Sequence, residues 1–388
     1  MTQMIFRSLF CFYFWLLFIG VSLAGTYQLT EQDLIPAMQK VADWQMANFT
    51  YSTTRGLHDR GVGSWTNATL YLGMSRWAEI AAADKYVEWL MDIGNILEWQ
   101  IPANFESNPR YWLYHADELC IIQLYEAMYS RFQQPEMLVA ARERLDLIIN
   151  NPPDTSMIYT NKQSWTWCDA LFMGPAAFLG MWKITGDESY LIFADEHFKK
   201  THRHLYHSSE RLFYRDDSFF NRKEANGKDI FWGRGNGWVA AGLANILKII
   251  PEGNELRSFY ESLFREHVVR LSELQDDSGF WHASLLDPES YPAPETSATA
   301  MITYAIAYGV NSGLLPADKY APVVEKAWKA LLTAIHSDGK LGWVQPIGAD
   351  PKTVTAEMTA VYGIGAFLMA GTEIASSIIK INKYFKNQ

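Results

Sequence analysis

Apolar residues recur about every 3.6 positions along most of the chain, which is the pattern of amphipathic helices that bury one face. Strand-like runs are few and short, at 212–214 and 280–281. The pattern therefore predicts an all-α protein. Its predicted helices are 31–49, 65–82, 85–99, 114–131, 136–150, 166–185, 187–204, 232–250, 254–274, 294–313, 317–336 and 355–384.

A short motif recurs where one predicted helix ends and the next begins, at 84–86, 186–190 and 317–320. In each copy an Asp suited to N-capping is followed two or three positions later by a Tyr that can pack back on the preceding helices. This recurrence indicates a repeated helical hairpin. About six hairpins favour a closed (α/α)₆ barrel, with an open solenoid as the alternative.

The connections between the predicted helices differ in length, with long ones at 50–64, 100–113, 205–231 and 275–293. Long loops on one face of a repeat array are where binding and catalytic residues are usually placed. No Pro- or Ser-rich linker interrupts the pattern, so we predict one domain over residues 25–388.

The first two dozen residues differ in kind from the rest. Arg7 precedes an uncharged apolar run at 9–23, and Ser22-Leu23-Ala24 has the small-x-small form of a signal-peptidase site. We predict that residues 1–24 are a signal peptide and that the mature protein is periplasmic or secreted, without stable membrane insertion. The alternative is a retained anchor, although the run is short for a membrane span.

The composition of the chain argues against some classes of function. Hydrophobic residues make up 49% of the chain, and the net charge of -10 argues against a nucleic-acid partner. Sugar-binding clefts use flat aromatic faces, and the chain has 15 Trp, 20 Tyr and 21 Phe, although buried helices explain most of them. Cys120 and Cys168 lie in apolar helical patterns, so a bridge between them stays open. Neither cysteine has metal-ligand spacing with a His, and no metal site is predicted.

Three segments could carry chemistry. Asp169, in the run Trp165 to Met173, begins an apolar and aromatic helix, where burial would raise its pKa and keep it protonated as a general acid requires. A carboxylate there could instead only complement the helix dipole. Asp117, within Tyr114 to Leu119, also follows a long loop and is expected at the same end of the barrel.

The third segment is Phe231 to Trp238. Its glycines permit close backbone approach, and Arg234 between two tryptophans offers a planar fork for a carboxylate. Other candidates are weaker: Trp65 and Asn67 at a helix start, a lone His282 that is more often structural, and the polar run at 294–297 that capping alone could explain.

Together these residues resemble glycoside hydrolase family 105, the unsaturated rhamnogalacturonyl hydrolases and their relatives. The resemblance is carried in order by Trp-x-Asp-x-Leu-Phe-Met at 167–173, Trp-x-Arg-Gly-Asn-Gly-Trp at 232–238, Glu-Thr-Ser at 295–297 and Tyr-Gly-Ile-Gly-Ala-Phe-Leu-Met-Ala-Gly at 362–371. It runs from about residue 30 to the C-terminus and implies an (α/α)₆ barrel and a cofactor-free hydrolase.

The resemblance implies an oligosaccharide substrate that ends in a 4,5-unsaturated uronic acid, the product of a polysaccharide lyase. Asp169 would protonate C4, water would add at C5, and the resulting hemiketal would open, which lies outside the usual two-carboxylate scheme. Asp117 would bind hydroxyl groups or position water. The residues expected to bind the substrate are Trp65, Asn67, His115, Trp167, Arg215, Trp232, Arg234 and Trp238, with Arg234 the choice for its carboxylate.

One position departs from the family pattern. Rhamnogalacturonan-type members usually have a His after Leu-Phe-Tyr at 212–214, whereas this chain has Arg215. An extra cation could meet a carboxylate or sulfate, so ulvan-type substrates stand beside pectic ones, or it could pair with Asp216 or Asp217. A family 88 unsaturated glucuronyl hydrolase and a non-catalytic sugar-binding barrel are the other hypotheses, and the sequence leaves the aglycone sugar and the oligomeric state undetermined.

Overall fold

The computed structural model describes residues 26–51, 61–101, 113–161 and 163–386. The predicted signal peptide, residues 1–24, lies outside the described residues. The described chain is dominated by helices that alternate between an outer and an inner layer.

The outer layer contains six helices, each rich in buried residues on the face that meets the inner layer. They are α1 (Glu31–Ala47), α3 (Lys85–Ile96), α6 (Val139–Asn150), α9 (Glu188–Leu205), α11 (Arg257–Ser272) and α13 (Ala317–Thr333). The inner helices are α2 (Trp65–Ile80), α5 (Ile122–Phe132), α8 (Pro175–Thr185), α10 (Gly233–Ile249), α12 (Thr296–Asn311) and α14 (Val361–Lys386). Short helices α4 (Ala116–Leu119) and α7 (Ala170–Met173) precede α5 and α8, and 3₁₀ turns occupy Pro135–Met137 and Asp217–Phe219.

The inner helices form a closed ring. Each contacts the next along the chain, and α14 contacts α2, so the last inner helix returns to the first. Glycines allow this closing contact, because a methyl group at Gly73 would overlap the backbone of Gly365, and one at Gly365 would overlap the carbonyl of Thr69. The predicted (α/α)₆ barrel is confirmed, and the open solenoid is wrong.

The recurring Asp and Tyr motif links neighbouring outer helices. The Tyr86 hydroxyl on α3 donates to Asp43 of α1 at 2.8 Å, and the Tyr190 hydroxyl on α9 donates to Asp146 of α6. Asp187 caps α9 by accepting from the Ser189 N–H. The motif thus recurs at every second outer helix, α3, α9 and α13, but the predicted N-cap is correct only at Asp187: the Asp84 side chain makes no capping hydrogen bond, and Asp318 lies inside α13, after Pro316.

Two predicted helices are interrupted close to their acidic residues. Instead of one helix over 114–131 the chain forms α4 and α5, and instead of one over 166–185 it forms α7 and α8. Pro175 accounts for the second interruption, because it lacks the N–H that would continue α7. The predicted strand at 212–214 is β2 (Leu212–Phe213), paired with β1 (Tyr206–His207), whereas 280–281 is not a strand because only isolated bridges flank it.

Because the chain alternates between layers, the inner helices run in one direction and their N-termini meet at one end of the barrel, here called the front end.

Among the described residues one stretch, Val361–Ile379 in α14, is long and apolar enough to cross a membrane, but 83% of it is buried in the barrel. Cys120 and Cys168 are both free and buried, so the structure has no bridge between them.

Candidate active site

Asp169 lies at the front end, as the N-cap residue of α7. Its side chain is only 13% exposed, and its Oδ2 lies 3.8 Å from Nε of Arg215. Burial raises the pKa of this carboxyl, the charges of Arg215 and Arg234 oppose the rise, and Asp117 adds to it. The pKa of Asp169 is therefore shifted in the direction that a proton donor requires.

Asp117 belongs to α4, directly before an inner helix, at the same end of the barrel as Asp169. Its side chain is 15% exposed, and Oδ2 lies 3.8 Å from Nδ1 of His115. The His115 ring in turn packs on Trp167, with ring centroids 4.8 Å apart. The structure thus brings together four of the predicted site residues from two successive hairpins.

Arg215 faces both a structural and a candidate catalytic carboxylate. Its Nη1 donates to Oδ2 of Asp216 at 2.6 Å, and its guanidinium lies 4.5 Å from the centre of the Tyr159 ring. Its buried Nε, 3.8 Å from Asp169, has no hydrogen-bond partner among the described residues. The expected pairing with Asp216 is present, and it coexists with a direct approach to Asp169.

Arg234 is almost completely buried, with 1% exposure. Nη1 donates to the Gln345 carbonyl and to the Tyr362 hydroxyl at 3.1 Å, and Nη2 donates to the Pro346 carbonyl at 2.9 Å. The guanidinium also lies 4.5 Å from the centre of the Trp232 ring. Its fork is therefore engaged by the protein itself, although its charge still acts on Asp169.

Gln345 organises this network and was not singled out by the sequence. Its side-chain Oε1 accepts from Nε1 of Trp232 at 3.1 Å, and its N–H donates to Glu295 at 3.0 Å. Tyr362 donates its hydroxyl to the same Gln345 carbonyl that Arg234 uses. The only available signal was the matched segment at 362–371, which contains Tyr362.

The predicted aromatic residues differ in how much of each ring is exposed. Trp65 is partly exposed and stacks on Tyr362 with centroids 5.4 Å apart, while its edge meets Trp238 at 6.0 Å. Trp232 and Trp238 are fully buried. Both were expected to bind the substrate, and neither has an exposed ring face in this structure.

Three further polar residues make structural hydrogen bonds. Asn67 donates from Nδ2 to the Gly61 carbonyl at 3.0 Å and holds the turn before α2. Glu295 accepts from the N–H groups of Ser297 and Ala298, so it caps α12 as the simpler interpretation held. His282 lies 3.0 Å from Asp276 through Nε2, which agrees with a structural histidine.

The front end thus combines a buried acid, a second carboxylate and two fixed cations, with helix N-termini around them. This arrangement can donate a proton while attracting an anionic substrate group. Among the described residues no group of three or more His, Cys, Asp or Glu side chains could hold a metal ion.

Comparison with known proteins identifies the family of this chain. The profile of glycosyl hydrolase family 88 matches residues 37–378. An unsaturated 3S-rhamnoglycuronyl hydrolase of Formosa agariphila is 36% identical, over 89% of this chain and 91% of its own. A protein of the same name from Alteromonas sp. (strain LOR) is 33% identical, over 87% of this chain and 84% of its own. Among solved structures, a family 88 glycosyl hydrolase from Bacteroides vulgatus superposes with a TM-score of 0.80 at 30% identity, covering 90% of this chain and all of its own (100%).

Proposed function

Because this chain belongs to glycosyl hydrolase family 88 and is a glycosidase, we propose that it removes a terminal 4,5-unsaturated uronic acid from rhamnose-containing oligosaccharides left by polysaccharide lyases. Within the related families 88 and 105 we place it with the rhamnose-directed members of family 105, on the four ordered motifs. The observation that carries the proposal is a buried Asp169 whose pKa is raised mainly by burial.

Asp169 is the proton donor in this proposal. The unsaturated sugar is a vinyl ether, and protonation of its C4 creates positive charge at C5 and the ring oxygen. Water then adds at C5 to form a hemiketal, which opens and releases the next sugar. A buried acid whose pKa is raised by burial serves the first step, and Asp117 orients the sugar hydroxyls or the water from the neighbouring hairpin.

We assign the substrate carboxylate to Arg215 rather than to Arg234. Both terminal nitrogens of Arg234 already donate to groups of the protein, namely the carbonyls of Gln345 and Pro346 and the Tyr362 hydroxyl. The side chain of Arg215 is 12% exposed, and its Nε lies 3.8 Å from Oδ2 of the proton donor Asp169. A carboxylate bound there would lie beside the carbon that Asp169 protonates.

The most similar relatives support a rhamnose-linked uronate as the substrate. Both carry rhamnoglycuronyl in their names and align over most of this chain. We place ulvan fragments ahead of pectic ones on the names of these relatives. The alternative is the family 88 activity on glycosaminoglycan fragments. We further propose that the enzyme is exported, from the signal-like residues 1–24.

The decisive experiment incubates the purified chain with lyase-digested ulvan, lyase-digested rhamnogalacturonan and unsaturated glycosaminoglycan disaccharides. Loss of the ultraviolet absorbance of the conjugated double bond reports the reaction, and mass spectrometry identifies the released sugar. We expect turnover to be fastest on the ulvan fragments. Activity confined to the glycosaminoglycan set would favour the alternative, and gain of absorbance from intact polysaccharide would indicate a lyase.

The matched variants are Asp169→Asn and Asp187→Asn. The first removes the proton while preserving the shape of the side chain, and should lower kcat by about 10²- to 10⁴-fold. The second makes the same change at the cap of an outer helix, where Asn also caps well, and should leave kcat unchanged. Full activity of the Asp169→Asn protein would refute the assignment of the proton donor.

A further inference from the structure

A second cavity lies at the opposite end of the barrel from Asp169, here called the rear cavity. Its volume is about 390 Å³, and it lies between the C-terminal halves of α2, α5, α8 and α10. That volume is within the range of small-molecule sites. The residues that matter for its chemistry are Arg76, Glu126, Ala127, Lys183, Asn245 and Lys248.

Three lining residues contribute a buried polar atom that has no hydrogen-bond partner among the described residues: Nη1 of Arg76, Nδ2 of Asn245 and Oε1 of Glu126. Asn245 and Glu126 are 4% and 7% exposed. Buried polar groups are nearly always hydrogen-bonded, because an unmet donor or acceptor costs about 1–3 kcal/mol. Three such atoms around one cavity therefore indicate a polar occupant.

The two free donors are close together. Nη2 of Arg76 donates to Oδ1 of Asn245 at 2.7 Å, so the remaining Nη1 and Nδ2 belong to side chains that are already joined. The Tyr304 hydroxyl donates to the same Oδ1 at 2.8 Å and fixes the amide, which leaves its NH₂ group for another acceptor. An adjacent guanidinium and amide form the kind of donor pair that a carboxylate accepts with its two oxygens.

The charge around the cavity also favours an anion. No carboxylate of the described chain forms an ion pair with Arg76, which instead lies 4.7 Å from the centre of the Tyr304 ring. The C-termini of the surrounding helices contribute partial negative charge, and Glu79 also lines the cavity. Lys183 and Lys248, in the last turns of α8 and α10, oppose this charge, although Lys248 is paired with Glu373. Burial raises the pKa of Glu126 well above its ordinary value, so its carboxyl adds little negative charge.

We propose that the rear cavity binds a small hydroxylated carboxylate of about monosaccharide size. Its carboxylate accepts hydrogen bonds from Arg76 and Asn245, and one of its hydroxyl groups pairs with Glu126. Gly180 makes room for this arrangement, since a side chain there would overlap the Glu126 carboxyl. The site is separate from the proposed hydrolysis and does not depend on it.

The test is calorimetric titration of the full chain with D-glucuronate, with D-glucose as the neutral control. We expect glucuronate to bind at least about tenfold more tightly than glucose, as loss of one charge-assisted pairing predicts. Arg76→Gln and Ala127→Leu should each weaken glucuronate binding by at least about tenfold, the first by removing the charge and the second by filling the cavity.

Two control proteins locate the binding. Ala127→Ser keeps the cavity open, and Asp169→Asn alters only the front end, so both should bind glucuronate as the unmodified chain does. Hydrolysis of the unsaturated substrate by the two rear variants should be unchanged, which also verifies their fold. No glucuronate binding, equal binding of glucose, or binding that survives Arg76→Gln and Ala127→Leu would overturn the proposal, whatever the outcome for hydrolysis.

Discussion

Nε of Arg215 lies 3.8 Å from Oδ2 of Asp169, so a fixed cation adjoins the candidate proton donor. The cation favours the ionised carboxylate, whereas burial favours the protonated form, and burial is the larger influence on the pKa of Asp169. The pKa of the acid is thus raised on balance, while a positive charge lies beside it for a substrate anion. The effect of the cation and the effect of burial on the pKa of Asp169 can each be tested by substitution.

Arg215→Gln should shift the alkaline limb of the kcat/KM profile to higher pH. Removing the cation that lowers the pKa of Asp169 lets the acid keep its proton further into the alkaline range. KM should rise as well if Arg215 holds the substrate carboxylate. Arg222→Gln, which changes an exposed arginine, serves as the control. A limb that moves to lower pH would contradict the proposed coupling.

Asp117→Asn should shift the same limb in the opposite direction. The Asp117 charge contributes to the raised pKa of Asp169, so its loss lets Asp169 ionise at lower pH. The rate at the optimum should also fall if Asp117 positions sugar or water. The position of the limb is the readout, because a merely structural defect would lower the rate without moving it.

Asp169→Asn should stabilise the fold increasingly as pH rises. The folded-state pKa of Asp169 is raised, so its contribution to stability is complete below the unfolded value of about 3.9 and is lost as pH rises through the folded value. Asn is neutral throughout. The Tm difference between variant and unmodified protein should therefore be larger at pH 8 than at pH 4, with pH 5 as an intermediate point, as thermal melts can show.

The capping residue Asp187 provides a control of opposite sign. Its hydrogen bonds with Ser189 lower its pKa, so its carboxylate stabilises the fold at neutral pH. Asp187→Asn should give no increase in relative Tm between pH 5 and pH 8. The same upward trend in both variants would mean that the effect does not come from the burial of Asp169.

Arg234→Lys should destabilise the barrel by about 2–3 kcal/mol, measured by urea unfolding. A lysine cannot reproduce the planar fork that donates to the carbonyls of Gln345 and Pro346. Arg222→Lys makes the same change at an exposed position and should stay within about 0.5 kcal/mol. Equal stabilities of the two variants would show that the Arg234 contacts carry little free energy.

Gly73→Ala should destabilise the protein by about 3 kcal/mol, because the added methyl group overlaps the backbone of Gly365 where α2 and α14 close the ring. Gly237→Ala is the matched control on another inner helix, since the nearest atom to a methyl group added there is Cβ of Met301 at 3.2 Å. Similar urea midpoints for the two variants would argue against a tight closing contact.

The spacing of apolar residues was sufficient to predict where most helices lie, although α10 and α12 are buried on nearly every side rather than on one face. It also placed Asp117 and Asp169 at one end, since both precede inner helices. The interruptions within 114–131 and 166–185 were missed, although Pro175 marks one of them. Periodicity averages over a turn and does not resolve a local break of one or two residues.

Contacts between distant segments could not be predicted from local pattern. Arg234 was expected to be free for a substrate, but its fork meets carbonyls more than a hundred positions away, at Gln345 and Pro346. The burial of Trp232 and Trp238 likewise depends on how the helices assemble. A single sequence shows that a side chain can bind an anion, and only the fold shows what that side chain already contacts.

The stacking of Trp65 on Tyr362 joins the first and last inner helices beside the site. A chain cut before residue 361 would keep both carboxylates, yet it would lack the Tyr362 hydroxyl that contacts Arg234 and the helix that completes the ring. Partly made or clipped molecules should therefore be inactive rather than weakly active. Hydrolysis should therefore require closure of the ring of inner helices, which is complete only when the whole polypeptide has folded.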